Sequence, residues 1–115
     1  MTGKHKTNAM GLLDSRKVPY TVHYYPPEVH SAEGVARILG APEAQVFKTL
    51  VALPQHGRPI LAIVPGDREL DLKALAVAVD DKKVRMATQN EAETLTGLLV
   101  GGISALALLD KGFRL

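Results

Sequence analysis

The chain has 115 residues, of which 46% are hydrophobic and 23% are charged, and its formal net charge is +2. This length suits one small domain with a single core, and the composition excludes disorder as the default state. The lack of cysteine excludes disulfides, thiolate metal sites and a cysteine nucleophile, and it favours a cytoplasmic location. No apolar run is long enough to cross a bilayer. We therefore expect one domain over residues 1–115 that does not span a membrane.

The N-terminal third predicts two helices with a strand between them. Thr7 or Asn8 can cap a first helix that ends near Lys17. Residues 20–24, YTVHY, alternate apolar and polar side chains and predict a half-buried strand. A second helix is predicted over residues 31–39, with Ser31 as its N-cap and a glycine as its C-terminal stop.

The stretch QVFKTLVAL, residues 45–53, predicts the central strand of the sheet because it is apolar on both faces. Lys48 shares one face of this strand with Leu50 and Ala52, and Thr49 follows it. A buried ammonium without a partner is costly, so Lys48 either reaches an open cleft or extends its amine to water at the end of the strand. The strand alone leaves these two interpretations open.

The rest of the chain predicts short strands and helices that alternate. Residues 54–58 predict a hairpin connection to a strand over 59–65, and these two strands are expected to pair. The further expected elements are a helix capped by Asp71, a strand over residues 84–87, a helix that starts at the capping box of Thr88 and Glu91 and ends at Gly97, and a strand over 98–100. This pattern favours an α+β fold in which helices pack on a mixed sheet.

The four histidines have no helical zinc spacing, so we expect no metal site. Gly102, Ile103 and Ser104 resemble half of a nucleophile elbow, but Leu106 stands where the second glycine is needed, which argues against Ser104 as a nucleophile. Gly101 and Gly102 instead predict a turn that is either a plain tight turn or one whose amides bind a carbonyl or phosphate oxygen. No nucleotide cofactor is indicated, because the phosphate-binding glycine motifs are missing from the sequence.

Four blocks in order resemble the YbaK-type aminoacyl-tRNA deacylases, relatives of the editing domain of bacterial prolyl-tRNA synthetases. The blocks are VFKTLV at residues 46–51, GDRELDLKALA at 66–76, VRMA at 84–87 and ETLTGLLVGGIS at 93–104. The resemblance implies a mixed sheet curled towards a barrel with helices outside. It also implies an enzyme that clears mischarged tRNA, with Cys-tRNA(Pro) as the leading substrate and prolyl-tRNA synthetase as an expected partner.

The resemblance implies where the site lies. The lysine of the family's F-K-T motif corresponds to Lys48, with Thr49 beside it, and Tyr20 falls where the family has a tyrosine in its first strand. The glycine loop maps onto residues 101–104, namely Gly101, Gly102, Ile103 and Ser104. The implied chemistry is cleavage of the aminoacyl ester by hydrolysis or by the substrate's own thiol, with no metal and no protein nucleophile.

Three departures from the family pattern limit what the resemblance implies. Ala105 occupies the position of a loop proline, Ser31 occupies an aromatic position, and the chain stops at Leu115, before a segment that other members carry beside the pocket. The alternatives are therefore a truncated product, a domain that completes its sheet by forming a homodimer, or a domain that has lost catalysis. A binding module for tRNA or a synthetase, and an interaction domain in which Lys48 is merely structural, stay open beside the deacylase.

Overall fold

The computed structural model of the chain describes residues 7–26, 28–29, 31–98, 103–109 and 111–115. Three strands lie in this part of the chain: β1 (Phe47–Pro54), β2 (Ile60–Pro65) and β3 (Val84–Met86). The helices described are α1 (Asn8–Ser15), α2 (Ala32–Leu39), α3 (Leu72–Ala78) and α4 (Gln89–Thr96). Short 3-10 turns cover Glu43–Gln45 and Leu106–Leu108.

The helices begin where capping side chains stand in the sequence. The Ser31 hydroxyl accepts the Gly34 N–H at 3.0 Å, and an Asp71 carboxylate oxygen accepts the Ala74 N–H at 3.1 Å. Thr7 caps α1 in the same way, and α4 starts with the complete capping box of Thr88. Such caps satisfy backbone donors that the first helical turn leaves free, so local chemistry sets these boundaries.

β1 is the middle strand of an antiparallel sheet in the order β2-β1-β3. It pairs with β2 from Phe47, opposite Pro65, to Ala52, opposite Ile60. β3 pairs only with the far end of β1, where Ala52 lies opposite Met86. A parallel bridge between Ile60 and Arg114 gives the sheet its mixed character. The predicted α+β class is confirmed.

The core has two parts, one on each face of the sheet. One cluster contains Val51 and Leu61 with residues of α4 and of the C-terminal turn. The other contains Ala52 and Ile60 with residues of α3 and β3. Neighbouring residues of β1 point to opposite faces, which is why adjacent positions belong to different clusters. The sheet is therefore covered on both faces at this end of β1.

Two predicted strands need correction. Residues 20–24 form no strand, because no neighbouring strand pairs with them within the described part of the chain, and Tyr20 and Tyr24 are exposed. Leu98 lies in a bend, and the rest of the strand predicted over residues 98–100 lies outside the described residues. β1 also begins two residues later than predicted, because Gln45 belongs to a 3-10 turn.

No helix of the described residues is long and apolar enough to cross a membrane. Homodimer formation, expected for a shortened sheet, stays a prediction, as does the single domain over residues 1–115.

Candidate active site

A cleft of about 600 Å³ runs along the N-terminal half of β1. Five consecutive residues of the strand, 47–51, line it. Because alternate side chains of a strand point to opposite faces, a single face cannot present five residues in a row. The cleft therefore follows the edge of β1 that faces away from β2.

Backbone groups of β1 are directed at this cleft. The Gly66 N–H donates to the Val46 carbonyl at 2.7 Å, which shows that the even-numbered residues of β1 direct their backbone groups toward β2. On the opposite edge the Ala87 N–H donates to the Val51 carbonyl at 3.0 Å, so the odd-numbered residues face β3. Among the described residues, the pairing on this edge ends at Val51 and does not extend to residues 47–50. Within the described residues no strand pairs with Thr49 on this edge, so its N–H and C=O are directed toward the cleft.

Lys48 lies in the N-terminal half of β1, where it lines the cleft and is half-buried. Among the residues that the structure describes, Lys48 has no ion-pair partner. A lysine ammonium without a carboxylate partner can direct its three donors to an anionic or carbonyl oxygen. The arrangement suits binding of a negatively charged or polar group beside Thr49.

The opposite wall comes from α2, from the turn that precedes β1 and from the start of α4. Glu33, Glu43 and Gln89 contribute polar side chains, and Tyr25 contributes an aromatic ring. An exposed ion pair at 2.9 Å joins Glu33 to Arg37 one helical turn away, so that carboxylate is directed along α2. The cleft thus combines one cation from the strand with hydrogen-bonding groups from three other elements.

A bidentate ion pair fixes the start of α4 at the cleft. Two guanidinium nitrogens of Arg85 donate to the two carboxylate oxygens of Glu91, each at 2.8 Å. Glu91 also accepts the Thr88 N–H at 2.9 Å, while its own N–H donates to the Thr88 hydroxyl. The hydrogen bonds from Arg85 and then from Thr88 lower the pKa of Glu91 to about 2. Thr88 and Gln89 are thereby held where they line the cleft.

Gly66 closes the end of the cleft next to α2. A Cβ at this position would lie 2.8 Å from the carbonyl oxygens of Glu43 and Val46 and from the Ala32 side chain. Such an approach is too close for any side chain, so only glycine lets the β2 end meet the turn before β1. This close approach therefore lies in the wall of the cleft.

The structure brings together three of the site residues predicted from the sequence. Lys48, Thr49 and Ile103 line the cleft. Tyr20 and Ser104 do not line it, and Gly101 and Gly102 lie outside the described residues. The tyrosine in the cleft is Tyr25, which lies in the same irregular segment as Tyr20.

Sequence reasoning missed the polar groups of the opposite wall, namely Glu33, Glu43, Thr88 and Gln89. The sequence did place Glu33 and Thr88 at helix starts, but no local signal relates those starts to Lys48. The sequence did give a hint for Gly66, because this glycine begins one of the four blocks that resemble the family. Within the described residues no group of three His, Asp or Glu side chains is placed to hold a metal ion, and the expectation of no metal stays a prediction.

Comparison with known proteins identifies relatives with this fold. The family model for the aminoacyl-tRNA editing domain matches residues 26–114. A candidate Cys-tRNA(Pro)/Cys-tRNA(Cys) deacylase of Enterococcus faecalis, EbsC, is 42% identical over 107 residues, which are 91% of this chain and 65% of EbsC. A proline–tRNA ligase of Thermosipho africanus is 35% identical over 77 residues, which cover 67% of this chain and 14% of the ligase.

Solved structures agree with the sequence matches. The hypothetical protein APE2540 superimposes with a TM-score of 0.80 at 26% identity, over 88% of this chain and 67% of that one. A candidate trans-editing enzyme for prolyl-tRNA synthetase superimposes with a TM-score of 0.71 at 30% identity, over 87% of this chain and 65% of that one. This chain therefore spans about two thirds of the length of EbsC and of these two solved structures. The resemblance seen in the sequence is confirmed, and the chain belongs to the aminoacyl-tRNA editing domain family.

Proposed function

We propose that this domain is a trans-editing deacylase that cleaves the aminoacyl ester of mischarged tRNA, with Cys-tRNA(Pro) as its leading substrate. Membership of the editing domain family and the likeness to EbsC support this class of reaction. The single observation that carries the proposal is the position of Lys48, a half-buried residue that lines a 600 Å³ cleft and has no ion-pair partner among the described residues.

Placement of the substrate is the main task of such a site. In the proposed reaction the thiol sulfur of the bound cysteine attacks its own carbonyl carbon. The ester C–O bond breaks, a thiolactone forms, the thiol gives its proton to solvent, and the leaving ribose oxygen takes one up from solvent. Attack by water gives free amino acid instead. Neither route needs a protein nucleophile, so the rate depends on orientation and on stabilising the negative charge that develops on oxygen.

Lys48 and the edge of β1 can supply that stabilisation. The Lys48 ammonium suits the developing oxyanion or the oxygens of the terminal nucleotide, since it has three donors and a full charge. The Thr49 N–H is a further backbone donor on the neighbouring residue, and the apolar side chain of Ile103 also lines the cleft. Loss of one donor of this kind typically costs about a hundredfold or more in rate.

Mischarged tRNA is the proposed ligand, and the cytoplasm, where a cysteine-free chain needs no disulfides, is the proposed location. Prolyl-tRNA synthetase is the proposed partner, because the matched segment of the Thermosipho ligase shows that the same domain occurs within such a synthetase. A synthetase could then deliver the charged tRNA end to the cleft.

The deciding experiment follows ester loss from Cys-tRNA(Pro), Ala-tRNA(Pro) and Pro-tRNA(Pro) incubated with this chain, beside a version extended through its natural downstream reading frame. We expect loss of the cysteinyl ester well above the uncatalysed rate, an intact prolyl ester, and no effect of a metal chelator. Binding of tRNA without turnover in either version would favour the alternative of a binding module. Neither binding nor turnover would favour an interaction domain.

A further inference from the structure

Two loops are fastened together at the end of β1 that lies farthest from Lys48. The Asp81 side chain, which is only 5% exposed, accepts the His56 N–H at 3.0 Å and the Lys83 N–H at 3.3 Å. The first bond holds the hairpin between β1 and β2, and the second holds the turn between α3 and β3. The bond from the His56 N–H is also the main reason why the pKa of Asp81 is lowered. One buried carboxylate therefore fixes the relative position of two basic loops.

The C-terminal segment adds a further cation to this place. The Arg114 N–H donates to the Pro59 carbonyl at 2.9 Å, and the Arg114 carbonyl accepts the Leu61 N–H at 2.8 Å. A hollow of about 190 Å³ lies between the hairpin and this segment, lined by His56, Arg58 and Arg114 among others. The backbone bonds thus anchor Arg114 beside Arg58 across a small concavity.

Within the described residues, the one basic side chain here that approaches a carboxylate is His56, whose Nδ1 lies 3.9 Å from an Asp81 oxygen. We call His56, Arg58, Lys82, Lys83 and Arg114 the basic end of the domain. Within the described part of the chain, the two arginines and the two lysines of the basic end make no ion pair. Among the described residues, Asp80 and Asp81 lie next to the two lysines in sequence, and Asp81 already accepts two backbone N–H groups. The basic end therefore carries excess positive charge with free donors.

We propose that the basic end binds backbone phosphates of the tRNA whose aminoacyl end occupies the Lys48 cleft. This inference rests on the proposed function. Six residues of extended strand separate Lys48 from Pro54, which places the two sites about 20 Å apart at roughly 3.3 Å per residue. A polymer with a phosphate at every nucleotide can contact both sites at once, whereas a single aminoacyl nucleotide cannot.

The chemistry of the basic end favours RNA over an acidic protein. Guanidinium groups such as those of Arg58 and Arg114 match phosphate oxygens with paired donors. A hollow of 190 Å³ is smaller than the ~300 Å³ at which small-molecule pockets begin, and it suits one phosphate group. Among the described residues no Phe, Tyr or Trp lines it, although Trp and Tyr are typical anchors of protein interfaces.

The first test measures binding of uncharged tRNA by fluorescence anisotropy from about 0.05 to 0.3 M salt. The test variant is Arg58→Gln with Lys83→Gln, and the matched control is Arg16→Gln with Lys17→Gln, an exposed Arg and Lys pair in the turn after α1. Removing one phosphate-binding cation should lower the salt slope by about one, so the test variant should lower it by about two and bind roughly tenfold or more weakly at 0.1 M salt. The control should change less than about twofold. Thermal melting checks that each variant is folded.

Unchanged binding in the folded test variant, or an equal loss in both double variants, would overturn the proposal. A second test separates it from the proposed function by comparing intact aminoacyl-tRNA with aminoacyl-adenosine, which is too short to span the distance between the two sites. The test variant should raise KM for intact tRNA without changing kcat, and it should leave cleavage of aminoacyl-adenosine unchanged. If the unsubstituted chain cleaves neither substrate, the proposed function fails, while the anisotropy measurement still decides this inference.

Discussion

The two halves of β1 differ in how far the rest of the molecule encloses them. In the closed half, residues 51–54, Val51 and Ala52 are buried and the strand pairs with a neighbour on each edge. In the open half, residues 47–50, no residue is buried, and within the described chain only β2 pairs with the strand. One element therefore provides core packing at one end and, at the other, an accessible edge with backbone donors and a cation.

This difference shows how a small domain can keep an ammonium group available beside its core. The closed half fixes the direction of the strand, because its side chains enter both core clusters. In the open half, pairing with β2 on one edge holds the backbone of Lys48 and Thr49, and the other edge faces the cleft. Four substitutions test whether the halves differ in this way.

Lys48→Ala should have the largest effect on activity, with little effect on folding. We expect deacylation of Cys-tRNA(Pro) to fall by about a hundredfold or more, because one charged donor to the developing oxyanion is lost. The measurement is the rate of ester loss, together with a thermal melt. Lys73→Ala, which removes an exposed lysine on α3, is the matched control and should keep its activity. Near-normal activity in folded Lys48→Ala would remove the active-site role of this residue.

Leu61→Ala should have the largest effect on stability. Leu61 is 1% exposed and lies opposite Val51 in the closed half, so its truncation should lower the free energy of unfolding by about 2–5 kcal/mol. Ile63→Ala is the control on the same strand and face, opposite Thr49, and at 53% exposure it should cost less than about 1 kcal/mol. Urea denaturation measures both. Equal losses would mean that the open half is enclosed after all.

Gly66→Ala should have an intermediate effect, since its Cβ would meet two backbone carbonyls at 2.8 Å. We expect a decrease in stability of about 1–3 kcal/mol from the forced shift, with altered KM because the cleft wall moves. Gly11→Ala is the control, because nothing lies within 4 Å of its added Cβ and the helix gains a better helix former. A substitution at Gly66 that leaves stability and KM unchanged would argue against this close approach.

Glu91→Gln should have the smallest effect and should depend on pH. The pKa of Glu91 is about 2 in the folded chain, below its ordinary value, so its contribution to stability is present above the unfolded pKa and is lost as pH falls toward 2. The stability difference between the unsubstituted chain and Glu91→Gln should therefore shrink as pH drops from 6 to 2.5. Melting curves over this range measure it, and a gap that widens on acidification would contradict the assignment.

Helix boundaries were predictable from the sequence because capping is local. Ser31, Asp71 and the Thr88 capping box each act on backbone groups three residues away, and their predicted roles are confirmed. The strand over residues 20–24 was wrong because a strand also needs a neighbour, which alternation of side chains cannot supply. Local chemistry therefore predicted ends of helices better than it predicted pairing.

The sequence and the resemblance pointed to three of the residues that line the cleft, namely Lys48, Thr49 and Ile103. Lys48 could be identified because it is the one charged residue of an apolar strand, and its neighbour Thr49 followed from the resemblance. Glu33, Glu43 and Gln89 reach the cleft only after α2, the 3-10 turn and α4 have packed around β1, so no sequence spacing relates them to Lys48. Tyr20 was named from the resemblance alone, and in the structure Tyr25 of the same segment lines the cleft.

Chemical protection of the Lys48 amine gives the most direct test of the site. Limited acetylation by acetic anhydride, followed by mass spectrometry, would be run with and without a tRNA analogue that carries an uncleavable amide in place of the ester. We predict that saturating analogue slows acetylation of Lys48 severalfold and leaves the exposed Lys73 unchanged. Equal rates of Lys48 acetylation with and without bound analogue would contradict the placement of the ester beside this residue.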